Sequence, residues 1–69
     1  MKAHEFQQAR RTLGLTQRKM ASAIGVNDRT IRYYETGRVP VSPTVAVLVE
    51  LLVLLKKQGK WPVKEVGNA

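Results

Sequence analysis

The residues with the most chemical potential lie in one stretch, LTQRKMASAIGVNDRTIRYYETG, from Leu15 to Gly37. A helical pattern breaks there at Gly25-Val26-Asn27, and the turns that follow are loaded with Arg29, Arg32 and Tyr33. Arg18, Lys19 and Arg38 add charge within the same stretch, and Arg11 lies just before it. Guanidinium, ammonium and phenol groups of this kind hold anions. Over the whole chain Lys and Arg outnumber Asp and Glu by 12 to 5, for a net charge of +7 and a pI near 10.4. The expected partner is therefore a polyanion. Nucleic acid is the leading candidate and an anionic membrane surface the second, since both reward clustered positive charge.

Other chemistry lacks its parts. His4 stands beside Glu5 with no cysteine and no second histidine in the chain, so no metal ligand set is expected. Ser22, Ser42 and the threonines have no histidine placed by a motif, and there is no Gly-rich phosphate loop. The chain is expected not to be an enzyme, to need no cofactor and to bind no small molecule. Its most apolar run, Val45 to Leu55, is interrupted by Glu50 and is about half the ~20 residues of a bilayer span, so it reads as core and no membrane partner is expected. The opening MKAHEFQQARR lacks the apolar segment of a secretion signal, and a cytoplasmic location is the expectation.

Four helices must position these groups. Phe6, Ala9, Arg10 and Leu13 at helical spacing, closed by Gly14, predict a first helix over residues 3–13. Thr16 as N-cap and the stripe Met20, Ala21, Ile24 predict a second over 17–24. Asn27 as N-cap, Asp28 at the positive helix end and Gly37 as terminator predict a third over 28–36. Ser42-Pro43 marks the start of a fourth, expected to reach about Gln58. The fold class is all-α. One domain over residues 1–58 is expected, followed by a tail, 59–69, without disulfide support.

The second and third helices, joined by Gly25-Val26-Asn27, form an αα corner in which Ala21 sits at the closest crossing and Val26 and Ile31 fill the space between. Leu15-Thr16-Gln17, Met20-Ala21, Ile24-Gly25-Val26, Thr30-Ile31 and Glu35-x-Gly37 together resemble the helix-turn-helix signature of the Cro/repressor (XRE) family, in register and without a gap, over about residues 3–50. The resemblance implies a lambda-repressor-like domain that lays its third helix in the major groove of double-stranded DNA. It implies base contacts from Asn27, Asp28, Arg29, Arg32 and Tyr33. Arg29 suits guanine O6 and N7, Arg32 a base or a phosphate, and Tyr33 a thymine methyl or a phosphate. Asp28 departs from the usual neutral residue, and three roles stay open for it: a cytosine N4 acceptor, a partner orienting Arg29 or Arg32, or a helix-start residue. Gln17 and Thr16 at the start of helix two, with Arg18, Lys19, Arg38 and Arg11, are the implied phosphate contacts. A solvated basic face is the alternative for the last four. Arg10 and Glu35 are implied to form a structural ion pair.

The fourth helix departs from the family's plan of two short closing helices. Val45, Leu48, Leu52 and Leu55 form one stripe, Val47, Leu51 and Leu54 a second, and Val49 and Val53 widen the coverage. A single small core cannot bury all of these, so a homodimer is expected, with Val47, Leu51, Leu54, Leu55 and Trp61 as interface candidates. The alternatives are that the second face covers the tail or helix one, and that Trp61 packs on helix four. The resulting expectation is a dimeric repressor reading an inverted repeat in its own operon's promoter. Its size and plan resemble short regulators of phages and mobile elements, antitoxin-type or anti-CRISPR-associated. An antitoxin that also binds a toxin protein is the alternative, and a membrane-surface or RNA-binding protein a third possibility.

Overall fold

The computed structural model describes residues 1–61 and is all-helical: α1 Ala3–Leu13, α2 Gln17–Ile24, α3 Asp28–Thr36 and α4 Pro43–Lys57. The expected solvation of Lys64 to Ala69 falls outside the described residues. Helix α1 packs against α3 and α4, α2 mainly against α3, and their shared core is Phe6, Leu13, Met20, Ala21, Ile31, Tyr34, Val45 and Val49. Phe6 and Tyr34 meet edge to face at 5.2 Å between ring centroids, the arrangement that sets a positive ring edge against a negative face.

Local chemistry sets each helix end. Thr16 Oγ1 accepts from Lys19 N at 3.1 Å, Asn27 Oδ1 from Arg29 N at 2.8 Å and Ser42 Oγ from Val45 N at 3.2 Å, satisfying donors that the first helical turn leaves free. At α1 a side chain further along does the same work, because Lys2 N donates to Glu5 Oε1 at 2.6 Å. That hydrogen bond holds the Glu5 carboxyl below the usual carboxylate range. A depressed acid stabilises the fold above its unfolded pKa and loses the contribution as pH falls through the folded one. The Glu5 side-chain carbon, followed by NMR, is therefore expected to titrate below a glutamate in an unstructured peptide, with α1 fraying at its start over the same acidic range.

Gly25 makes the corner between α2 and α3. Its φ of +74° lies in the left-handed region that a side chain penalises, and its N–H bonds back to the Ala21 carbonyl. A Cβ there would meet nothing within 4 Å, so the penalty for adding one is conformational and not steric. Gly25→Ala is expected to cost about 1–2 kcal/mol in a urea denaturation without changing the folded spectrum. The same corner packs α2 on α3, with Ala21, 2% exposed, and the fully buried Ile31 in one core.

Helix α4 shows where periodicity fails. Nearly every residue from Val45 to Leu55 is apolar, so the pattern cannot name the inner face. The structure seats Val45 and Val49 in the core, with Leu52 and Val53 half-buried against it. Val49, expected only to widen the coverage, is completely buried. Val47, Leu51 and Leu54 point away from the core and stay 57%, 53% and 49% exposed, with half-buried Leu48 and Leu55 along one flank. Trp61 lies on its own core, its indole N–H donating to the Leu13 carbonyl at 3.3 Å. The bond runs to the end of α1, not to helix four as the packing alternative had it, and it engages within its own chain an indole that is also an interface candidate. Among the described residues no helix is long and apolar enough to cross a membrane.

Candidate nucleic-acid interface

Helix α3 turns Ile31 and Tyr34 inward, which leaves Arg29, Arg32, Tyr33 and Thr36 at i, i+3, i+4 and i+7 along the opposite side. Arg29 and Arg32 are exposed and Tyr33 is half-buried. Asn27 and Asp28 stand exposed where the helix begins. The Asn27 side chain is engaged as the cap, through the Arg29 backbone N–H, so its amide nitrogen is the part that faces outward chemistry. Asp28 has no ion pair with Arg29 or Arg32 among the described residues, and of its three roles the orienting one finds no support in the geometry. It stands in the first turn of α3, where a carboxylate suits the positive end of the helix dipole.

Two features of this surface were not evident from residue types. Arg38 follows the left-handed Gly37, and its guanidinium carbon lies 4.8 Å from the centroid of the Tyr33 ring. The two side chains form one cation–π unit, with the Arg38 charge over one face of the Tyr33 ring. Thr36, which shares the outer side of α3, turns its hydroxyl back to the Arg32 carbonyl at 2.9 Å. The family signature gave no role to Thr36. Its position is visible only once i+7 is counted from Arg29.

Beneath α3 lies the network that fixes it. Arg10 Nε donates to Glu35 Oε2 at 2.6 Å and its Nη2 to Glu35 Oε1 at 3.1 Å, a two-pronged pair whose planar geometry only arginine offers. The third donor, Nη1, holds the Leu15 carbonyl at 3.0 Å. One guanidinium thereby ties α1 to the end of α3 and to the entry of α2. The Glu35 side chain is 3% exposed and that of Arg10 14%. Gln17 Nε2 donates to Glu35 Oε1 at 3.2 Å, so this expected phosphate contact is also a member of the anchoring network. Its second amide hydrogen remains for another acceptor.

Thr16 Oγ1 accepts the α2 cap bond and its hydroxyl hydrogen remains to donate, while Arg18 and Lys19 in the first turn of α2 are exposed, as is Arg11 on α1. With Glu35 neutralised by Arg10, Asp28 is the one acid on α2 or α3 without a cationic partner among the described residues. Over these two helices Arg18, Lys19, Arg29 and Arg32 stand against Asp28 alone, a net positive charge. Such a surface binds a phosphate backbone, and a helix of this diameter bearing arginines on its outer side fits the major groove of B-form DNA.

Comparison with known proteins agrees with this geometry. The sequence model of a family described as a helix-turn-helix domain matches residues 3–59, spanning all four helices and the network that joins them. No curated protein and no solved structure gives a significant match.

Proposed function

Because the chain belongs to the helix-turn-helix domain family, we propose that it is a sequence-specific double-stranded-DNA-binding transcriptional regulator of the Cro/repressor (XRE) type. The observation that carries the reading is the outer side of α3, where Arg29 and Arg32 are free while Arg10, Glu35 and Gln17 clamp the same helix to α1 and α2. A helix held this firmly costs no backbone ordering on binding, which leaves only the side-chain entropy of its exposed arginines to be offset. Arg29 takes guanine O6 and N7, Arg32 a base or neighbouring phosphate, and the Tyr33–Arg38 unit the flanking backbone. Gln17, Arg18, Lys19 and Arg11 supply further phosphate contacts. Binding is the assigned activity, with no catalytic step, and the cytoplasm is its proposed location.

The regulator acts as a homodimer. Val47, Leu51 and Leu54 make a continuous apolar ridge, and a second copy is the occupant proposed for it. Two recognition helices related by a two-fold axis then read an inverted repeat, the second half-site gaining from a high effective concentration. Occupancy of its own operon's promoter makes the protein an autorepressor, in the format of short phage or mobile-element regulators. The competing reading, an antitoxin, places a toxin protein on the same ridge.

A gel shift on the protein's upstream DNA, with random DNA as competitor and at two salt concentrations, tests the assignment. Preferential binding that weakens steeply with salt is expected. Equal affinity for upstream and random DNA would remove the sequence-specific reading. A monomer in sedimentation at tens of micromolar would remove the dimer.

A further inference from the structure

We propose that the two copies join through antiparallel α4 helices in one defined register, with Glu50 of each copy paired to Lys57 of the other. The proposal rests on the dimer reading above and adds its geometry.

The spacing of the exposed ridge supplies the argument. Val47 to Leu51 is four residues and Leu51 to Leu54 is three, the alternation of a coiled-coil seam. Written as a heptad, Val47 and Leu54 take d, and Leu51 and Gln58 take a. Val49 and Lys56 then fall at f, farthest from the seam, in keeping with Val49 being buried in its own core. The two edges of the seam differ in kind. Leu48 and Leu55 line the e edge, apolar and half-exposed, whereas Glu50 and Lys57 line the g edge, both exposed and without an ion-pair partner among the described residues.

That asymmetry selects the orientation, because e and g charges set how coiled-coil helices pair. In a parallel pair the g edge of one helix meets the e edge of the other five residues on, which sets Glu50 against Leu55 and leaves Lys57 past the end of α4 with no charge to meet. In an antiparallel pair g meets g and e meets e. Leu51 then packs against Leu54 of the second copy, Leu48 against Leu55, and Glu50 against Lys57. Each contact occurs twice by symmetry. The opposed helix dipoles add to the preference. Val47 faces Gln58 at the helix end, where the long amide can reach water.

Charge reversal and cysteine cross-linking test the register, and the absence of native cysteine makes single replacements clean. Glu50→Lys sets two like-charge pairs in the interface, and sedimentation should show the dimer weakened roughly tenfold. Adding Lys57→Glu restores opposite charges and should return the wild-type dissociation constant. Both positions are exposed, so helical circular dichroism is expected to stay unchanged. Val47→Cys should not form a disulfide with its own copy on mild oxidation. In the proposed register the two cysteines lie about 16 Å apart along the helices, given ~1.5 Å per residue, against the ~7 Å limit between Cα atoms for a disulfide. A wild-type dimer in which Val47→Cys self-links, or in which the double reversal stays weak, overturns the antiparallel register and leaves the dimer standing. A wild-type monomer at tens of micromolar overturns both.

Discussion

Arg29→Ala is expected to weaken binding to the operator by about 1–3 kcal/mol per half-site while leaving affinity for random DNA nearly unchanged. The fold should not notice. Arg29 is exposed, and the hydrogen bond that Asn27 makes to it uses its backbone N–H, which alanine retains. What is lost is the planar pair of donors that matches guanine O6 and N7. Arg38→Ala provides the contrast, since a phosphate contact carries no sequence information: it should weaken all DNA alike and lower the slope of log affinity against log salt by about one per half-site. Gel-shift titrations of both variants on operator and random duplexes at two salt concentrations measure the difference. Equal losses on the two duplexes for Arg29→Ala would show that it touches only backbone.

Glu35→Ala should act on the opposite quantity. It removes the acceptor of two Arg10 hydrogen bonds and one from Gln17, leaving a guanidinium that is 14% exposed with only the Leu15 carbonyl as partner. Breaking a buried pair in this way costs about 3 kcal/mol. At roughly 0.05–0.15 kcal/mol per residue, a chain of 69 residues has about 3.5–10 kcal/mol in all, so the loss is a large share of it. The urea midpoint is expected to fall sharply. Binding should fall with it, on operator and random DNA in the same proportion, and return on cooling as the folded fraction recovers. Arg10→Ala should resemble it, and the double variant should cost less than the sum because the two changes remove one shared interaction. An unshifted midpoint for Glu35→Ala would mean that the pair does not hold α3.

Which features could be read from the sequence follows from how far apart their causes lie. Thr16, Asn27 and Ser42-Pro43 cap helices through hydrogen bonds within a few residues, and Gly14, Gly25 and Gly37 end them through their own backbone angles, so helix bounds are local properties. The outer side of α3 is likewise fixed by helical spacing from Ile31 and Tyr34. The inner face of α4 is not, because an almost wholly apolar helix carries no contrast, and the packing of α4 on the other helices selects Val45 and Val49. Gln17 reaches Glu35 across 18 residues, and Trp61 reaches Leu13 across 48. Both contacts depend on how helices cross. The Tyr33–Arg38 stack depends on the Gly37 turn folding the chain back, which composition alone does not reveal. The Arg10–Glu35 pair was legible through family resemblance, while its extension to Gln17 and the Leu15 carbonyl needed the geometry.

Methylation interference on the upstream DNA tests most directly the claim that α3 reads bases in the major groove, because methylating guanine N7 blocks the atom assigned to Arg29. Wild-type protein is expected to show interfering guanines in two symmetric half-sites about one helical turn apart. Arg29→Ala should lose that interference, whereas ethylation of the flanking phosphates should still interfere with its binding. Interference that is absent in the wild-type, or unchanged by Arg29→Ala, would contradict the assignment of Arg29 to the groove.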